Sequence, residues 1–374
     1  MLCRKTLNMF KLWIAIATAL VIFVAPMQAQ WSAEERLKNS ITSLLTKLIN
    51  AEVKMKPETT VTSSSFPLVS MLSILALHSS GRTQQELLDI LNLESCNEIR
   101  EIIPKYLSRF NTQGEVKSVL DFKAFGNIFD PFTDLFKQNL ADLLNGETEN
   151  INYNHPKTAA RIINQWVKNH IFDTENYDVI RKNEIPDDSA MILVSTQSVE
   201  VKYDSPYNIR GTTEIEFHVN NNEVVIMPAI YGDGLMKFAA IDSLDCAVIE
   251  VPMKGNRSAI IFYPNQIEGL SDLVSKLQDA DLLYKALEML ETTCITLYMP
   301  LGKSNAVVDF RKYLEHIIPS IFDPATAEFS GISQGPNPVY VSSMLHRIHA
   351  TALNESRCKH TTINGDEIYM VFQN

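Results

Sequence analysis

Apolar positions in the first third of the chain recur with helical spacing. Ser32 followed by Glu35 is a capping-box pair, and it precedes a stripe of Leu37, Ile41, Leu44, Leu45, Leu48 and Ile49. Residues 67–77 form a second, mostly apolar helical run. Gly81 and Arg82 separate it from another capping pair, Thr83 and Glu86, ahead of Leu87, Leu88, Ile90, Leu91 and Leu93. Residues 119–129 mix β-branched and aromatic side chains and read as a strand, and residues 132–144 return to helical spacing up to Gly146. Pro156 and Thr158 then open a helix carrying Ile162, Ile163, Trp166 and Val167 on one side.

Beyond that helix the period changes to that of strands. Residues 191–203, 215–219, 224–227, 246–253, 258–263 and 295–299 are short runs rich in Val, Ile, Phe and Tyr, several of them hairpin-linked. Helical patterns return at residues 270–277 and 309–314. Helices first, then antiparallel strands with a few helices between them, is an α+β architecture.

The extreme amino end has its own pattern. Arg4, Lys5 and Lys11 precede an apolar run over residues 12–25, with small and polar residues around Ala29 and Gln30. That order predicts a secretory signal peptide over residues 1–29 and a single domain over residues 30–374. The run is shorter than the roughly 20 residues that cross a bilayer, and Pro26 and Gln28 end it, so no membrane anchor is expected.

With 374 residues, 45% hydrophobic and 21% charged, the chain can bury a sizeable core. Its formal net charge of −11 becomes three units more negative once Arg4, Lys5 and Lys11 leave with the signal. An acidic chain without a basic stripe is a poor partner for nucleic acid or anionic membranes. Cys96, Cys246, Cys294 and Cys358 remain in the mature chain; their wide spacing leaves both disulfides and free thiols open, and no C-x-x-C pair supports zinc. The sequons at Asn256 and Asn354 are expected glycosylation sites, Asn256 in a turn between two strands. Gly302, Lys303 and Ser304 resemble the end of a phosphate loop, but Leu297 stands where its first glycine is needed, so they are read as an ordinary loop. His346 and His349 have the spacing of half a metal site without an acidic helper, and no Gly-x-Ser-x-Gly elbow marks a nucleophile. No metal, cofactor or enzymatic activity is expected.

Three groups of residues resemble the serpin family. Residues 159–167, Ala-Ala-Arg-Ile-Ile-Asn-Gln-Trp-Val, are similar to its Ile-Asn-x-Trp-Val helix. Residues 248–253 and 258–264, Val-Ile-Glu-Val-Pro-Met and Ser-Ala-Ile-Ile-Phe-Tyr-Pro, are similar to its Leu-Glu-Leu-Pro hairpin. Glu328, Phe329, Ser330 and Ile332, then Val339, Val341 and Ser342, then His346 and Arg347 follow the steps that precede the reactive loop. Two departures stand out: His78 replaces a usual glycine, and residues 195–203 lack an Asn at their start and a Trp at their end.

The resemblance implies a serpin fold and a mechanism to test against the residues. Inhibitory serpins let a protease cut an exposed loop, which then inserts as a new strand in the main sheet and drags the acyl-enzyme across the molecule. Here Asn354, Glu355, Ser356 and Arg357 occupy the hinge, a degenerate version of Glu-Glu-Gly-Thr, and Arg357 and Lys359 are expected to face inward on insertion. Burying an unpaired cation costs several kcal/mol. Residues 364–372 already resemble the strand after the loop, so the stretch between spans at most about 30 Å against a domain roughly 50 Å across. The Gly-Arg-containing final strand of the family is absent from the sequence. The expected function is that of a secreted, monomeric, non-inhibitory serpin binding an extracellular protein, receptor or protease. Carrier, signal, and haemolymph or male accessory gland seminal-fluid factor are the roles this resemblance suggests, most closely among insect members. The alternative is an inhibitor using the short segment as a substrate mimic at Arg357 or Lys359.

Overall fold

The computed structural model describes residues 31–55, 61–111, 117–172, 178–204, 207–255, 257–301 and 303–353. Four helices come first: α1 (Ala33–Met55), α2 (Ser65–Leu77), α3 (Gly81–Leu91) and α4 (Cys96–Phe110). Then follow β1 (Lys117–Asn127), α5 (Asp134–Leu144), β2 (Glu147–Ile151) and α6 (Pro156–Asn169). The strand-rich half contains β3 (Met191–Lys202), β4 (Asn208–Asn220), β5 (Glu223–Ile241), β6 (Cys246–Met253) and β7 (Arg257–Pro264). It closes with α7 (Leu270–Lys276), α8 (Ala280–Glu288), β8 (Glu291–Pro300), β9 (Lys303–Asp309), α9 (Phe310–Leu314) and β10 (Val341–Leu353).

Two five-stranded sheets organise these elements. The first has the order β2-β1-β3-β10-β9; the second runs β4-β5-β6-β7, with β8 also on β5. Most pairs are antiparallel, but β1 with β2 and β3 with β10 are parallel. The first sheet is covered on both faces, which explains the unbroken apolar start of β3. Met191 and Leu193 point into a core shared with α2, β1 and β10, while Ile192 and Val194 point into a second core built on Trp166, Ile163 and Val167 of α6.

The predicted capping box at Ser32 forms, with the Ser32 amide donating to Glu35 Oε2 at 2.8 Å and the Glu35 amide to Ser32 Oγ at 3.3 Å. The second one does not. Helix α3 begins two residues earlier, at Gly81, whose φ of +54° turns the chain into the helix. Thr83 is therefore buried inside the first turn, accepting from the Glu328 amide at 3.2 Å, and Glu86 accepts from Ser320 Oγ. Lys303 and Ser304 are another correction: they open β9, opposite Thr351 and Ala350, instead of forming a loop. Strand β9 contributes few apolar residues and is defined by the sheet edge it joins, a non-local cause. His78 is no idle departure. It is buried at the end of α2, Nδ1 within 3.1 Å of the Gly331 carbonyl and Nε2 3.0 Å from Asn139 Nδ2, edge-on to Phe136.

Truncating Phe125, fully buried against Trp166, should cost about 3–5 kcal/mol in urea unfolding. Truncating the exposed Leu235 should change stability by less than about 0.5 kcal/mol. Gly81→Ala should cost about 1–2 kcal/mol, because its backbone is left-handed and a Cβ would collide with the Glu328 carboxylate. A Phe125→Ala loss under 1 kcal/mol would contradict a packed core beneath α6.

Candidate functional site

The centre of the first sheet is the seam between β3 and β10. The strands run parallel from Met191 opposite Val341 to Lys202 opposite Leu353, with one irregularity between Val341 and Ser343. Their starts are pinned: the Ala190 amide donates to Ser342 Oγ at 2.9 Å, and Tyr340 Oη donates to the Asp188 carbonyl at 2.9 Å. Further along, β3 changes from Met-Ile-Leu-Val to Ser195, Thr196, Gln197 and Ser198, all fully buried.

Side chains alternate between the two faces. On the face toward α2, Ser195 Oγ lies 2.9 Å from His346 Nδ1, and the imidazole stacks on Phe310 with ring centres 5.7 Å apart and planes at 8°. His346 is completely buried, and burial pushes its pKa down to about 3, so it is neutral at physiological pH. Its Nε2, both amide atoms of Gln197 and the Thr196 hydroxyl have no hydrogen-bond partner among the described groups. On the α6 face, Thr196 stands between Asp121 of β1 and Arg347 of β10 in one cross-strand row. Burial raises the Asp121 pKa. Ser198 Oγ accepts from the Phe172 amide at 3.0 Å, which fastens the segment after α6 onto the seam.

Sequence reading identified His346 as a packing position, and it is one. Residues three apart in a strand face opposite sides, so His346 and His349 cannot share a metal; His349 Nδ1 instead lies 2.7 Å from Asn305 Oδ1. No group of metal-ligating side chains occurs among the described residues. Ser195 and its polar run went unrecognised, because a buried polar stretch inside a strand has no sequence signature apart from its neighbours across the sheet.

Asn256, Asn354, Glu355, Ser356, Arg357 and Lys359 lie outside the described residues. Around Asn256 the hairpin is as expected: Met253 pairs with Arg257, and Gly255 has φ +75°. Asn354, the first residue of the expected hinge, follows directly on Leu353, the last residue of β10. Cys96, Cys246 and Cys294 are free thiols, Cys246 with its pKa pushed up to about 11 by burial, and Cys358 lies outside the described residues.

Because the His346 pKa in the folded protein lies below the ordinary 6.5, the unfolded chain binds this proton first. Its contribution is intact above about pH 6.5 and is lost as the pH falls toward 3, a change on the order of a few kcal/mol. His346→Asn should flatten the loss of urea stability between pH 6.5 and 4; an identical slope would contradict the neutral buried imidazole. His78, also lowered by burial, leaves a residual slope of the same sign.

The serpin (serine protease inhibitor) family profile matches residues 39–364. Alaserpin of Manduca sexta is 24% identical over 86% of this chain and 82% of its own, and antitrypsin of Bombyx mori 25% over 79% and 76%. Among solved structures, Serpin48 of Tenebrio molitor superposes with a TM-score of 0.78 at 20% identity, covering 88% of this chain and 90% of that one. A thyroxine-binding globulin in complex with thyroxine superposes with a TM-score of 0.76 at 16% identity, covering 87% and 90%. In fold, in the order of its motifs and over most of its length, the chain belongs to the serpin family.

Proposed function

We propose that this chain is a secreted, single-domain serpin that does not trap proteases and acts by binding an extracellular partner. Carriage or signalling in haemolymph or seminal fluid is the class of role intended. The observation that carries this reading is the double cover of the seam. From Met191 to Val199 both faces of β3 are buried, so a strand entering between β3 and β10 places its side chains in a dry layer once past the half-buried Glu200, Val201 and Lys202 at the Leu353 end. Arg347 is a cation this seam already buries, in the row with Thr196 and Asp121, so Arg357 and Lys359 would each need a buried partner of their own there. Two buried cations cost several kcal/mol each unless paired, comparable to what an added strand returns.

The segment itself is also short. About 30 Å of extended chain between Glu355 and Ile363 does not reach the far end of a strand the length of β3 and carry a protease with it. No catalytic role is proposed. Secretion is supported by the amino-terminal pattern, and no described helix is long and apolar enough to cross a membrane.

A second reading is favoured by the relatives' names. Antitrypsin and antichymotrypsin-2 of Bombyx mori are named as inhibitors. Under it, the segment serves as a substrate mimic that occupies a protease without insertion, with Arg357 or Lys359 in the specificity pocket.

Incubation with trypsin-like and chymotrypsin-like proteases should give cleavage and no SDS-stable complex; such a complex with any of them overturns the reading. Reversible inhibition of a trypsin-like protease, lost at least tenfold in Arg357→Ala or Lys359→Ala, selects the second reading instead. In a secreting insect cell, Asn256→Gln should remove one glycan's worth of mass sensitive to an N-glycosidase; an unchanged band contradicts glycosylation at the hairpin.

A further inference from the structure

The second sheet ends in a ribbon that no further described strand covers. Strand β4 is the outermost member of the order β4-β5-β6-β7, so its far edge presents unpaired backbone groups among the described strands. Strand β5 meets β8 only from Ala229 onward, which leaves its residues 223–228 paired with β4 alone. Two strands by themselves are marginal in water, and a third makes such a unit more stable. An open edge is also where an extended segment adds by backbone hydrogen bonds.

The two faces of the ribbon differ. Ile215 is buried on one face. On the other, the register sets Glu216 opposite Ile226 and Glu214 opposite Pro228, and all four are exposed, Ile226 by 61%. Neither carboxylate forms an ion pair among the described residues. The Lys and Arg side chains of β4, β5 and the turn after β6 are engaged elsewhere: Arg210 with Asp233, Lys237 with Glu250 at 2.8 Å and Lys254 with Asp204 at 3.2 Å. Charged side chains on an edge keep other strands away. A charge of one sign, however, repels only strands of that sign and admits a basic one.

The chain beyond Leu353 supplies the matching pattern. Arg357 and Lys359, the only Arg or Lys after Leu353, stand two residues apart and so share one face of an extended strand, as Glu214 and Glu216 do. Whichever way such a strand runs, that spacing brings both cations beside both carboxylates. Thr361, Thr362 and Ile363 are β-branched and favour extended backbone. The origin matches as well. Leu353 pairs with Lys202 at the end of the seam, and β4 begins six residues after Lys202, so both segments leave the same end of β3 and β10. Arg357 and Lys359 lie within about 14 and 20 Å of Leu353 along the chain.

We propose that residues 356–363 of this chain dock on the outer edge of β4 as an added strand, with Arg357 and Lys359 over Glu214 and Glu216 and their methylene stems toward Ile226. The proposal rests on the reading that this segment does not enter the seam, and it names the surface that takes the segment instead. Docked there, it covers an edge open to pairing with other chains. A protease must then lift it off to cut at Arg357 or Lys359.

The test is zero-length carbodiimide cross-linking of the full chain at low micromolar concentration, read by peptide mass spectrometry, with hydrogen exchange on the same samples. An amide link from Lys359 to Glu214 or Glu216 is expected in the monomer, beside a Lys254–Asp204 link that serves as control. The amides of residues 356–361 should exchange about tenfold more slowly than in the Glu214→Lys/Glu216→Lys variant, whose exposed positions carry no risk to folding. Adding Arg357→Glu and Lys359→Glu to that variant should restore slow exchange. The control link without one from Lys359, exchange indifferent to the charge reversal, or fast exchange that the charge swap leaves fast would each overturn the proposal. A Lys359 link found only in cross-linked dimers would overturn it too, because the occupant is then a second copy. Protease incubation of the same preparation keeps the two claims apart: an SDS-stable complex overturns the non-trapping reading even where the link forms, and cleavage with neither complex nor link overturns this one alone.

Discussion

Two parallel strands, β3 and β10, lie side by side in the middle of a sheet buried on both faces, and most of the molecule is arranged around that pairing. The helical core, from α1 to α5, packs on one face and α6 on the other, so each residue along the seam has an apolar layer above or below it. Parallel pairing in such a place needs complete backbone satisfaction. The ladder provides it from Met191 to Lys202, with Ser342 and Tyr340 pinning one end. At the centre of the seam polar side chains are buried as well, and there Ser195 holds His346 as a neutral imidazole stacked on Phe310.

That constraint also decides what the following residues can do. A seam that accepts a strand only as a buried element favours small and apolar side chains and takes a cation only where it is partnered, as Arg347 is in the row with Thr196 and Asp121. Arg357 and Lys359 would each need such a partner to enter it. The chain has kept the sheet of a serpin, whose relatives include named protease inhibitors.

Much of this fold was legible in the sequence wherever local chemistry decides structure. The box at Ser32 and Glu35, the amphipathic α6, and the hairpin of β6 and β7 appear where periodicity puts them. Thr83 misled because Gly81, in a left-handed conformation, starts the helix earlier than the capping residues suggest. Strand β9 was missed because its pairing with β10 joins residues far apart in sequence. Helix α4 contains Pro104, a residue that usually ends a helix, and is held by the burial of Ile99, Ile103 and Leu107. At the site, His346 was recognised as structural, but the orphaned Gln197 and the row from Asp121 through Thr196 to Arg347 exist only once three strands are aligned.

The most direct measurement is the stability of the seam before and after the chain is cut at Arg357 or Lys359. Thermal unfolding and hydrogen exchange of the β3 and β10 amides, compared for intact and nicked protein, report whether a strand enters. The account predicts the same unfolding temperature within a few degrees and unchanged protection along both strands. A rise of tens of degrees, with new protection in residues 354–363, would contradict it.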